Sequence, residues 1–211
     1  MHQLETKALE TIQEKYKRPE NTSVLVTLKV NPEIITISAF IDDLLIVADS
    51  FDKCLKDTHT TITLLHNVGY GINFDKSALT PSQEIEHLGL IINSKCMTVK
   101  VIEKKCDHIV KLCKKMLNKD YIVIRDVANL TGTMVSYIPG AEVGQLHYRN
   151  LEKCKNNALK ANRGNYDALM SIDSLATQDI LWWLNNIITQ TTLLVKPQPS
   201  TFLNTDSSQK H

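Results

Sequence analysis

An α+β fold is what this 211-residue sequence predicts, on three observations. Two short apolar runs, residues 37–41 and 44–48, flank Asp42-Asp43 and read as a β-hairpin. Continuous Ile/Val/Leu/Phe runs of that length suit strands buried on both faces. Residues 50–68 and 101–118 instead repeat apolar side chains at helical spacing, and strand-like segments with turn signals lie between them. A chain of this length can bury a core, as one or two domains.

Taken in order, residues 3–17 predict an amphipathic helix, with Leu4, Ala8, Ile12 and Tyr16 four apart and Leu9 beside them. Arg18-Pro19-Glu20-Asn21 ends it, and residues 23–30 alternate as a strand. Asn31-Pro32 then turns into the hairpin, whose two-residue connection is expected to be Asp42-Asp43, since Asp tolerates turn backbone angles. Ser50 is the expected N-cap of the next helix, with Asp52 in its first turn. That helix is expected to bury Cys54, Leu55, Ile62 and Leu65 and to stop at Gly69. Residues 71–74, 85–92 and 97–101 read as three strands, separated by turns at Asp75-Lys76-Ser77 and Asn93-Ser94-Lys95.

A helix over 101–118 places Ile102, Cys106, Ile109, Cys113 and Met116 on one face and Lys104, Lys105, Lys111, Lys114 and Lys115 elsewhere. Residues 124–137 predict another helix, closed by Pro139-Gly140. The stretch 141–163 stays basic, and 166–188 reads as helical, with Trp182-Trp183 expected to serve packing. Residues 193–200 form a proline-containing linker, and 202–208 run from apolar to acidic like a strand end.

Lys and Arg number 24 against 23 acids, yet the charge is segregated. Residues 1–99 carry 9 basic and 13 acidic side chains (net −4), 100–163 carry 13 and 6 (net +7), and 164–211 carry 2 and 4 (net −2). The basic block suits nucleic-acid backbone, and equally a solvated helical surface. Five scattered cysteines include no Cys-x-x-Cys pair, and Cys106 and Cys113 with His108 lack zinc-ligand spacing. Residues 2–18 are polar where a secretory signal needs an apolar segment, and no apolar stretch approaches membrane-spanning length. The expectation is an intracellular protein, cytoplasmic or nuclear, that is neither secreted nor membrane-bound.

Adjacent carboxylates at the end of an apolar element repel, so one protonates unless a cation compensates them. A hard divalent ion is the natural compensator, and a water-screened turn is the alternative.

Phe40-Ile41-Asp42-Asp43, followed by Leu44-Leu45-Ile46, resembles the aromatic-x-Asp-Asp hairpin of reverse transcriptases. Further motifs follow in the matching order. Gly71-Ile72-Asn73-Phe74-Asp75-Lys76-Ser77 is similar to the segment whose lysine sits near the triphosphate. His87-Leu88-Gly89-Leu90 resembles the hairpin that grips the primer end. Arg125-Asp126-Val127-Ala128, Leu146-His147-Tyr148-Arg149-Asn150-Leu151-Glu152 and Trp182-Trp183 are most similar to the DIRS-like retrotransposon polymerases, with gypsy-like elements next. Phe202 to Ser208 resembles the first ribonuclease H strand, with Asp206 as its first acid.

The resemblance spans residues 34–208 and implies a partial polymerase palm (36–101), a basic helical thumb and connection (102–163), a helical connection and linker (164–200) and a ribonuclease H start (201–211), with 1–35 unassigned. It implies RNA-templated DNA synthesis from dNTPs by two-metal phosphoryl transfer. Asp42 and Asp43 would hold Mg2+ or Mn2+, with Asp42 the direct ligand, and Lys76 would assist the leaving pyrophosphate. His87, Leu88 and Gly89 would form the primer grip. Lys104, Lys105, Lys111, Lys114, Lys115, Arg149, Lys153 and Lys155 would face an RNA template and DNA primer. The family's third aspartate, on an upstream strand, and its Pro-Phe-Gly-like nucleotide-pocket segment are not recognisable in residues 1–35, so the chain is expected to be catalytically incomplete. The alternative is a non-enzymatic nucleic-acid-binding or protein-interaction module.

Overall fold

The computed structural model describes residues 24–30 and 33–195, with side chains from residue 35 onward. The chain is mixed α and β with antiparallel sheets, and it divides at Leu88/Gly89 into two compact units. The expected helix over 3–17, the Asn31-Pro32 turn and the segment containing Asp206 lie outside the described residues.

In the first unit β1 (Val24–Val30), β2 (Glu33–Phe40) and β3 (Asp43–Val47) form an antiparallel sheet in the order β1-β2-β3. Val26 pairs with Ile37 and Ile37 with Ile46, so apolar runs stand opposite one another. Ile35, Ile37 and Ala39 on alternate positions of β2 are buried, the period-two signature of one covered face. β3 departs from the expectation of a strand buried on both faces, because Leu44 and Val47 are exposed.

α1 (Phe51–Asn67) starts where the sequence placed it. The Ser50 side chain accepts the Lys53 backbone N–H at 3.3 Å, and Gly69 at φ 86° ends the helix in the left-handed conformation. Its buried face is not the expected one. Asp57 and Thr61 are enclosed, while Cys54, Leu55, Ile62 and Leu65 are half-buried. Lys53 Nζ lies 2.6 Å from Asp57 Oδ2 and offsets part of the cost of enclosing that carboxylate. Oδ1 of Asp57 has no hydrogen-bond partner, and nothing among the described residues explains it.

Residues 71–74 form no strand. The chain instead closes a 3-10 turn over Phe74–Lys76, because Asn73 captures both the Lys76 N–H and the Ser77 hydroxyl. The expected single strand over 85–92 is broken in two, β4 (Glu84–His87) and β5 (Leu90–Asn93). Leu88 and Gly89 between them sit at φ 54° and 73°, two consecutive left-handed residues that reverse the chain.

The second unit holds β5, β6 (Thr98–Val101), α2 (Glu103–Leu117), β7 (Ile122–Val123), α3 (Ile124–Tyr137), α4 (Arg149–Ala161), β8 (Leu169–Met170), α5 (Ser174–Asn186) and β9 (Thr192–Leu193). β6 pairs antiparallel with β5 on one side and with β9 on the other, and β7 pairs with β8. One apolar cluster joins the helices. Cys106, Ile109, Cys113 and Met116 of α2 meet Val127, Leu130 and Met134 of α3, Leu151 of α4 and Ile180 and Trp183 of α5. Burial pushes the Cys113 thiol up to about 12, so it packs as a small hydrophobe, as its spacing implied. Residues 166–188 are helical only from Ser174, since the segment before it supplies β8. No helix among the described residues is long and apolar enough to cross a membrane.

Candidate functional site

The acidic hairpin turns one residue earlier than its sequence suggests. Phe40 pairs with Asp43, so the two-residue connection is Ile41-Asp42 and Asp43 opens β3. Only the first of those two residues has positive φ, a position that glycine usually fills. Ile41 fills it at φ 54°, and a β-branched residue there stores about 1–3 kcal/mol. Ile41, Asp42 and Asp43 are all exposed at the tip.

His87 ends β4 and, among the described residues, is the expected site residue that approaches the acids within the first unit. Burial lowers its pKa, and the nearby charge of Asp43 acts the other way without cancelling the shift. The imidazole therefore favours its neutral form below the usual titration range. Its Nε2 is buried and has no hydrogen-bond partner among the described residues.

Lys76 is exposed on the Phe74–Lys76 turn, and no ion pair joins it to Asp42 or Asp43 among the described residues. A cleft of about 240 Å³ opens next to that turn, lined by Ile62, His66, Tyr70 and Phe74. Its lining is mostly apolar and includes neither Asp42 nor Asp43.

What comes close to Gly89 is a side chain and not another backbone. The side chain that approaches is Lys105, which a Cβ at residue 89 would overlap. Lys105 Nζ then lies 5.4 Å from the Tyr137 ring centroid. That cation–ring pairing occupies one of the eight basic residues assigned to nucleic acid. Two more are paired internally: Lys115 with Asp126 at 2.9 Å, and Lys155 with both oxygens of Glu152 at 2.7 and 2.9 Å. Lys104, Lys111, Lys114, Arg149 and Lys153 remain exposed. On α2, Lys104, Lys111 and Lys115 share a stripe opposite the buried Cys106, Ile109 and Cys113.

Two features had little sequence signal. Asp179 is buried on α5 and accepts the Asn150 and Leu151 backbone N–H groups at 2.8 and 3.1 Å, at the start of α4. Trp183 is enclosed and donates its indole N–H to the His147 carbonyl at 2.8 Å, whereas Trp182 is half-buried and stacks on the His147 ring at 4.4 Å. The tryptophan pair serves packing, as expected.

Among the described residues, no group of three or more His, Cys, Asp or Glu side chains converges as a metal site. Asp42 and Asp43 supply hard oxygen donors suited to Mg2+, but two carboxylates make only part of a two-metal set. Comparison with family models, curated proteins and solved structures returns no match.

Proposed function

We propose that this chain carries part of a retroelement-type reverse transcriptase: part of the palm at 36–101, a basic thumb and connection at 102–163, and a helical connection and linker at 164–200. Its ancestral chemistry is RNA-templated DNA synthesis from dNTPs. The observation that supports this most is the hairpin tip, where a strained two-residue turn presents Asp42 and Asp43 to solvent with His87 beside Asp43. Backbone strain of that kind persists where a side chain must be held in one place, which favours a functional tip over an idle turn.

Asp42 and Asp43 would hold a divalent cation, which would supply charge neutralisation at a triphosphate. The chain's own residues would position that ion, and Lys76 would carry positive charge toward the leaving group. With no third carboxylate beside the pair among the described residues, the chain as it stands is expected to lack polymerase activity. Primer extension on an RNA template with Mg2+ or Mn2+ tests this. Template-dependent extension abolished by Asp42→Asn would overturn the incompleteness.

A second reading, a nucleic-acid-binding module without catalysis, is favoured by the exposed lysines of α2. Neutralising Lys104, Lys111 and Lys114 should reduce the salt dependence of RNA–DNA duplex binding by roughly one unit of log–log slope for each phosphate left without its lysine. A slope that does not change would count against it.

A further inference from the structure

We propose that the β7–β8 ribbon is a docking site for single-stranded nucleic acid, with bases stacking on Tyr121 and Tyr166 and phosphates held by Lys119, Lys160 and Arg163. Tyr121 and Tyr166 are exposed, by 67% and 40%, and so is Leu169 by 61%. Trp182, Trp183, Tyr137 and Tyr148, the other ringed apolar side chains among the described residues of the second unit, are buried or half-buried.

Pairing of Ile122 with Met170 and of Val123 with Leu169 sets the geometry. Ile122 and Met170 are buried, so strand alternation turns Val123 and Leu169 to the outer face; Tyr121, in the bend that precedes β7, is exposed as well. Tyr166 sits beside the end of the ribbon, where its carbonyl accepts the Arg125 backbone N–H at 2.9 Å. The Arg125 guanidinium lies 5.8 Å from the Tyr166 ring centroid, fixed by two hydrogen bonds to Asp167 at 2.9 and 3.1 Å.

Charge selects the occupant. In sequence, Lys119 and Arg125 flank β7 and Lys160 and Arg163 precede β8, against Asp120 and Asp167, and Arg125 already compensates Asp167. Lys119, Lys160 and Arg163 are exposed and form no ion pair among the described residues. The surplus suits phosphate. A duplex keeps its bases stacked on one another and offers no face to a tyrosine, whereas a single strand does. This docking site is independent of the acidic hairpin and holds whether or not the chain derives from a polymerase.

The test is fluorescence anisotropy of the full chain with a labelled oligouridylate and, separately, with an RNA–DNA hybrid. Tyr121→Ala and Tyr166→Ala should each weaken single-strand binding by about tenfold or more while leaving hybrid binding unchanged. Tyr121→Phe and Tyr166→Phe, which keep the ring, should bind like the parent. Lys119→Glu with Arg163→Glu should flatten the salt dependence for the oligouridylate. Both tyrosines are exposed, and far-UV circular dichroism verifies that each variant is folded. Alanine variants that bind as tightly as the parent, or a parent that ignores the oligouridylate, would overturn the proposal. So would a parent dimer that Tyr121→Ala dissociates, which would make the ribbon a self-association surface.

Discussion

Ile41 occupies a backbone position that nearly every residue but glycine avoids, and its side chain is 69% exposed. Packing therefore does not explain the choice of isoleucine. Ile41→Gly should remove about 1–3 kcal/mol of strain and lose about 0.5–1 kcal/mol to the freer unfolded chain. The expected outcome is a net gain near ~1 kcal/mol, read as a higher thermal midpoint. A lower midpoint would mean that the turn is not strained. A second residue-scale test concerns Arg125 and Asp167. The Arg125 guanidinium, through its hydrogen bonds and then its charge, holds the Asp167 carboxyl below the usual carboxylate range. A depressed carboxylate contributes stability that is present above its unfolded pKa and lost as pH falls through the folded one. An NMR titration should place Asp167 below the usual carboxylate range, and Arg125→Ala should raise it back into that range. Because both groups are fully exposed, the shift should also shrink with added salt.

At the scale of elements, legibility followed how local the deciding physics was. α3 begins and ends where its periodicity placed it, and α2 buries Cys106, Ile109, Cys113 and Met116 as its spacing required. The Ser50 cap and the Gly69 stop are likewise local. The hairpin slipped by one residue because pairing set Phe40 against Asp43, and that register depends on a neighbouring strand. Residues 85–92 looked like one apolar strand because a leucine at positive φ leaves no sequence mark. α1 buries Asp57 instead of its apolar side chains because the buried face is decided by what covers it. Asp179 shows the same non-local logic, since its carboxylate reaches from α5 to the first turn of α4. Asp179→Ala should leave those N–H groups without a partner and cost about 2 kcal/mol, seen as a lower urea midpoint. An unchanged midpoint would show that water caps α4 equally well.

Across the whole chain, apolar burial and charge are both divided between the two units. The connected apolar cluster runs from Val101 to Ile187, wholly within the second unit. Among the described residues of the first unit, Ile35, Ile37 and Ala39 are buried on β2, while Ile41, Leu44 and Val47 at and after its tip are exposed. Net positive charge gathers at 100–163, and the acidic tip lies in the other unit. Of the expected site residues, His87 is the one whose imidazole feels the charge of Asp43. Lys76 forms no ion pair with the acids among the described residues, and Asp206 lies outside them. Segment-level charge was therefore readable in the sequence, while side-chain convergence was not, since it depends on distant residues meeting. The function proposed for the tip depends on the acidic pair holding a divalent ion. The most direct measurement is Mn2+ titration of the isotope-labelled chain, followed by paramagnetic broadening of its amide signals. Broadening should centre on Ile41, Asp42 and Asp43, extend to His87, and disappear in Asp42→Asn; broadening that spares the tip, or that persists in Asp42→Asn, would contradict a metal-holding hairpin.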